Sequence, residues 1–279
     1  MSWLNQGGRR SDVVPLLLLW CLLFTAGSAL AGRPCDTPQP PKTQTVTRAL
    51  QLAEKTLKAL DASGAQVVVL ARAGQDLTRY GLRYSHLGLA YVQPDGAGHT
   101  VWRVLHKLNQ CGSAVSQIYR QGLGDFFMDD LWRFEAAWVV PTPEVQAKLL
   151  ALLNDAPRSV LLHHKPYSMV SYVWGLKYQQ SNQWAIETMA LALAAELRTP
   201  APKRAQAQAW LQANGYQPSV LKIGALTRLG GRVTAANVAF DDHPTEKRFG
   251  DRIETVTVDS VFAWLPRAGL THLPVVTLR

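Results

Sequence analysis

The feature that most constrains this chain is an abrupt change of character near residue 184. A polar run, Tyr178-Gln179-Gln180-Ser181-Asn182-Gln183, gives way at Trp184 to a stretch dominated by Ala, Leu, Ile and Met that continues to Leu197. These residue types favour helix at almost every position, so a long apolar helix over residues 182–197 is predicted. Its polar start matters as much as its length. A helix N-terminus presents backbone N–H groups without intrahelical partners and a partial positive charge, and here Ser181 stands beside it.

The first thirty or so residues have a different purpose. Arg9 and Arg10 precede an apolar run from Val13 to Phe24, and Ala29-Leu30-Ala31 follows as a small-residue cleavage site. This is the pattern of a secretory signal peptide over residues 1–31, which leaves 32–279 as a single mature domain, long enough to bury a full core, periplasmic or secreted, and not membrane-spanning. Of the three cysteines, Cys21 falls in the leader, while Cys35 and Cys111 remain. In an oxidising compartment two cysteines point to one disulfide; the alternative is two free thiols, one of them reactive. The formal charge is +9, but the basic residues are spread along the chain. That argues against nucleic acid, which needs a clustered patch, and suits a surface facing anionic envelope polymers or lipids.

Before residue 182 the pattern is mixed. Helical spacing over 45–62, a β-branched run over 66–71, and strands over 86–92 and 100–108 around the turn Pro94-Asp95-Gly96-Ala97-Gly98 are predicted. A strand over 132–140 and a helix over 143–154 with Thr142 as N-cap follow, then a short strand over 159–162. Beyond the apolar helix, further helices are predicted over 203–214 and 219–229, and a strand from Arg252. The class is α+β, an antiparallel sheet flanked by helices.

Histidines fall at telling places in that scheme. A hairpin centred on Gly96 sets His86, at the start of one strand, opposite His106, at the end of the next. Gly88 lets a neighbouring backbone approach closely. Ser181 would need a base to become a nucleophile; His86 is the candidate base and His106 the group that orients it. Two plainer readings stand beside this one: Ser181 as a helix cap, and the histidines as core residues. Cys111, in Asn109-Gln110-Cys111-Gly112 with His243 downstream, is a rival nucleophile. Tyr178, Gln180 and Trp184 are candidates to line a groove leading to Ser181. No histidine spacing suits zinc, so no metal or other cofactor is implied.

The segment Tyr84-Ser85-His86-Leu87-Gly88-Leu89-Ala90-Tyr91 resembles the histidine motif of circularly permuted papain-like proteins, the relatives of NlpC-type peptidases and lecithin–retinol acyltransferase. There an Asn-Cys pair opens a later helix where this chain has Gln180-Ser181. That likeness covers about residues 66–197, with 198–279 as a helical and strand extension. Through Gly32-Arg33-Pro34-Cys35, Leu108-Asn109-Gln110-Cys111-Gly112 and Ser181-Asn182-Gln183-Trp184, most of the mature chain resembles the bacterial domain of unknown function 2145 family. The resemblance implies a papain-like fold. Its function is then either that of a hydrolase or acyltransferase using Ser181 in place of Cys on envelope peptide, lipid or cell-wall polymer, or that of a non-catalytic periplasmic binding or envelope-assembly protein that lost the thiol.

Overall fold

The computed structural model describes residues 40–279 apart from residue 130. The signal-peptide reading and Cys35 lie outside the described residues, and with Cys35 lies the Cys35–Cys111 pairing. Among the described residues no helix is long and apolar enough to cross a membrane.

The chain opens with α1 (Thr43–Ser63), closed by Gly64 in the left-handed region at φ 66°. Strands β1 (Val67–Ala73), β2 (His86–Pro94), β3 (Thr100–Asn109) and β4 (Ser116–Gly122) follow, then the short helix α2 (Leu123–Phe127) and β5 (Arg133–Val139). Helices α3 (Pro143–Asn154) and α4 (Ala156–Ser159) lead through an irregular segment to α5 (Ser181–Leu193) and α6 (Arg204–Ala213). The remainder is β6 (Ser219–Lys222), α7 (Ala225–Thr234), α8 (Thr245–Phe249), β7 (Arg252–Thr255), α9 (Val258–Arg267) and β8 (Val276–Leu278). Six strands form one antiparallel sheet in the order β4-β3-β2-β1-β5-β8, and β6 and β7 form a separate ribbon. The α+β class stands.

Strand alternation sorts the core into two layers. Val67, Val69 and Ala71 of β1, with Leu87, Leu89 and Tyr91 of β2, pack against Leu149 and Leu153 of α3 and Trp184, Ile186 and Met189 of α5. On the other face Val68, Leu70, Ala90 and Val104 pack against Leu52 and Leu60 of α1 and Phe126 and Phe127 of α2. Helix α5 is buried from Ser181 through Leu191. A third, smaller cluster around Leu221, Ile223 and Ile253 lies under the β6–β7 ribbon.

Several expectations need correction. Residues 159–162 end the one-turn helix α4 and continue as turn rather than strand, because Asp155 caps that turn by accepting from the Arg158 N–H at 3.0 Å. The helix expected over 219–229 is strand β6 followed by α7, with Gly224 between them as N-cap. The strand from Arg252 stops at Thr255, where Thr257 and Ser260 form a capping box that starts α9. Hairpin register also differs. Leu89 pairs with Leu105 and Pro94 with Thr100, so the turn centres on Ala97 and the two histidines are diagonal neighbours rather than directly opposed.

Gly88 makes that diagonal possible. A Cβ built there would lie 2.6 Å from Val104 Cγ1, 3.1 Å from His106 Cβ and 3.3 Å from the Leu105 carbonyl oxygen. Gly88→Ala is therefore expected to cost about 1–3 kcal/mol through overpacking, read as a lower midpoint in urea denaturation. An unchanged midpoint would mean that β2 and β3 can part freely.

Candidate functional site

The two histidines meet as the sequence suggests. His86 Nε2 lies 2.9 Å from His106 Nδ1, and His106 Nε2 lies 2.7 Å from Gln121 Oε1 on β4. The carbonyl oxygen of Gln121 can only accept, so His106 carries its proton on Nε2. His106 Nδ1 then accepts from His86 Nε2–H, and His86 Nδ1 is left as the basic atom of the chain. Both imidazoles are neutral in this network. Burial is the main cause: it pushes His86 well below the ordinary histidine range and His106 down to about 4. Arg72 adds to both shifts. It is the β1 residue directly across from His86, and its guanidinium lies 4.7 Å from the Phe126 ring centroid while bonding the Phe126 carbonyl and Asp129.

Ser181 lies elsewhere. Helix α5 is capped by Gln180, whose Oε1 accepts the Asn182 N–H at 3.0 Å, so Ser181 is the first helical residue rather than the cap. Its hydroxyl is 3.4 Å from that of Tyr167. Among the described residues no hydrogen bond joins it to either histidine. The reason is the alternation of β2. The rings of His86 and His106 sit 6.0 and 5.2 Å from Phe126, on the α1–α2 face, whereas α5 packs on the face of Leu87 and Leu89. Contact between the two regions runs through the backbone. Asn182 Oδ1 accepts the Leu87 N–H at 3.0 Å just beyond the last β2–β3 pair, which ties the first turn of α5 to the start of β2. The structure thus brings His86 to His106 but not their rings to the Ser181 hydroxyl.

The groove residues divide in the same way. Trp184 is fully buried in the core and lines no groove. Gln180 is buried too, donating to Thr255 Oγ1 at 3.2 Å and to the Val256 carbonyl. Tyr178 is half-buried, with its hydroxyl 3.1 Å from Asp241 Oδ1. His243, the downstream partner suggested for Cys111, is buried against Tyr172 at 5.2 Å between ring centroids and bonded to Asp242.

A further polar cluster, which the sequence did not reveal, lies on the α5 face. Lys107, the residue after His106, points the opposite way and is fully buried. Its ammonium donates to the His164 carbonyl and to Gln179 Oε1, both at 2.7 Å, and lies 6.0 Å from the Tyr167 ring centroid. Burial, with Arg204 nearby, pushes it down to about 6. Gln179 in turn donates to Glu187, which Arg204 grips through two nitrogens at 2.7 and 3.0 Å. The signal in the sequence is the adjacent polar pair His106-Lys107, which no single face of a strand can hold.

With the geometry described, comparison with known proteins adds one result. The profile of the family described as "Uncharacterized protein conserved in bacteria (DUF2145)" matches residues 59–265. This chain belongs to the DUF2145 family. The match runs from the end of α1 to α9, so the histidine relay, the α5 start and the Lys107 cluster all fall within the DUF2145 region. No curated protein and no solved structure matches the chain.

The neutral relay has a pH signature. Folded His106 holds no extra proton until about pH 4, while the unfolded chain takes one up near 6.5. Between those values the unfolded state binds more protons, so stability is fully present above pH 6.5 and falls as pH drops. That interval corresponds to a loss of order 3 kcal/mol for one fully buried histidine. In urea titrations across this range His106→Gln is expected to lose correspondingly less stability than wild type. Equal acid sensitivity would mean that His106 is already protonated in the fold.

Proposed function

We propose that this DUF2145 protein is a non-catalytic, exported relative of the papain-like proteins that serves as a periplasmic binding or envelope-assembly factor. The observation that carries the reading is the division of the expected triad. The Ser181 hydroxyl meets Tyr167, while the imidazole relay of His86 and His106 ends on the far face of the sheet. Burial raises Tyr167 above the usual phenol range, so at neutral pH it is a hydroxyl and no base for a serine. The leader-like residues 1–31 support export, and the papain likeness rests on the His86 and Gln180-Ser181 segments. The basic composition suits an anionic envelope peptide, lipid or cell-wall polymer as partner.

A second reading, an amide or ester hydrolase or an acyltransferase, draws on one observation. The Asn182 link to the Leu87 N–H sets the residues following Ser181 and His86 side by side, and His86 Nδ1 is the relay's basic end. On this reading the start of β2 would have to rearrange to carry His86 from the α1–α2 face to Ser181, because alternation of the strand holds its side chain on that face.

One experiment separates the two. Purified protein is expected to resist labelling by a fluorophosphonate probe and to turn over no activated ester. Ser181→Ala should change stability by less than about 1 kcal/mol, whereas Gln180→Ala should cost about 1 kcal/mol or more because it removes the α5 cap. Probe labelling at Ser181, or turnover abolished by Ser181→Ala, would establish the catalytic reading instead.

A further inference from the structure

Helix α7 is the least conventional element of the fold. Leu226, Leu229 and Val233 recur at i, i+3 and i+7 and so share one narrow face. Their relative exposures are 85%, 63% and 77%. The only buried residue of the helix is Arg228, on the opposite side, which bonds the Ile223 carbonyl and Asp251. Helices in water owe most of their stability to burying an apolar face. This one points that face outward and also carries Gly230 and Gly231, each unfavourable by about 1 kcal/mol relative to alanine. Arg228, bonded to Asp251, instead ties its polar side to the α8–β7 turn, where Phe249 is a further exposed aromatic.

Charge adds a second, independent observation. Lys222 and Arg252 are direct cross-strand partners at the end of the β6–β7 ribbon next to the start of α7, and both are exposed. Like charges directly opposite one another destabilise a sheet, and among the described residues neither has a carboxylate partner. A doubly cationic strand end beside an exposed apolar helical stripe is the arrangement of an interfacial helix, whose apolar residues enter the acyl boundary while cations meet phosphate headgroups.

We propose that the α7 face carrying Leu226, Leu229 and Val233 docks onto the surface of an anionic lipid bilayer, with Lys222 and Arg252 on the headgroup phosphates. The attachment is peripheral. It holds under either reading of the Ser181 region, because none of these residues belongs to that region.

The test compares full-length variants that differ only at the named positions. Wild type is expected to co-sediment with phosphatidylglycerol-containing vesicles, less so as salt rises, and weakly with phosphatidylcholine vesicles. The triple variant Leu226→Ser, Leu229→Ser, Val233→Ser should bind at least roughly tenfold more weakly, and Lys222→Gln with Arg252→Gln roughly tenfold more weakly. Because the substituted side chains are exposed, melting temperature should stay close to wild type in the triple variant and should not fall in the Lys222→Gln, Arg252→Gln variant, which separates lost docking from lost folding. Equal vesicle binding by wild type and the triple variant, or equal wild-type binding to both lipids, would overturn the proposal. A dimer that disappears in the triple variant while vesicle binding is unchanged would overturn it in favour of self-association.

Discussion

The structure depends above all on one buried carboxylate. Glu187 sits in the middle of α5 with no exposure, and four groups satisfy it: Arg204 Nε and a terminal Arg204 nitrogen, Gln208 at 2.8 Å and Gln179 at 2.5 Å. Gln179 carries the connection onward to Lys107, to the His164 N–H at 2.9 Å and to the Leu162 carbonyl at 2.9 Å. One side chain thereby joins α5 to α6, to the irregular segment before α5 and to β3. Removing it would leave the largely buried Arg204 guanidinium without its carboxylate, with only the Gly175 and Leu176 carbonyls as acceptors, the kind of change that costs about 3–5 kcal/mol. Apolar packing against the sheet gives α5 its stability, but a nearly featureless apolar helix can slide or rotate. The hydrogen bonds of Glu187 specify one depth and one rotation, and so fix where Ser181 and Asn182 emerge.

A second constraint is the two-residue period of β3. His106 and Lys107 are consecutive, so the strand must send them to opposite faces. Each lands in a buried polar network: one with His86 and Gln121, the other with Gln179 and the His164 carbonyl. In each case desolvation drives the group toward its neutral form and a nearby arginine reinforces the shift, Arg72 on one side and Arg204 on the other. The sheet therefore separates two titratable clusters only one residue apart in the chain.

Much of this was legible in the sequence, and the failures have identifiable causes. Helix α3 is legible over the residues it occupies, because Pro143 at its start and Thr142 as cap mark the boundary. Hairpin spacing predicts the histidine contact despite a register that differs by one residue in its centre, since diagonal neighbours remain within reach of a ring. Strand β4 was missed because Ser-Gln-Ile-Tyr-Arg-Gln-Gly has no clear alternation; as an edge strand it owes its form to pairing with β3. Arg72 was invisible as a site residue because it ends an apolar run and carries no motif. The residue type of Ser181 suits a cap as well as a nucleophile, yet Gln180 is the cap, because its side chain reaches the Asn182 N–H. The opposite placement of the His86 ring and α5 was implicit in the alternation of β2 but needed the packing of both helices to be seen.

Arg72 also bears on why a serine can stand at the start of α5. Papain-like chemistry relies on a thiolate stabilised by a positively charged imidazole and a helix N-terminus. Here the imidazoles are buried beside a guanidinium, and the pair shares a single relay proton between His86 Nε2 and His106 Nδ1. Forming an imidazolium, by protonation at the free His86 Nδ1, would place a second cation next to Arg72. Burial first, and Arg72 second, therefore hold both imidazoles in the neutral form on this face. The Ser181 hydroxyl, on the other face of the sheet, pairs with Tyr167.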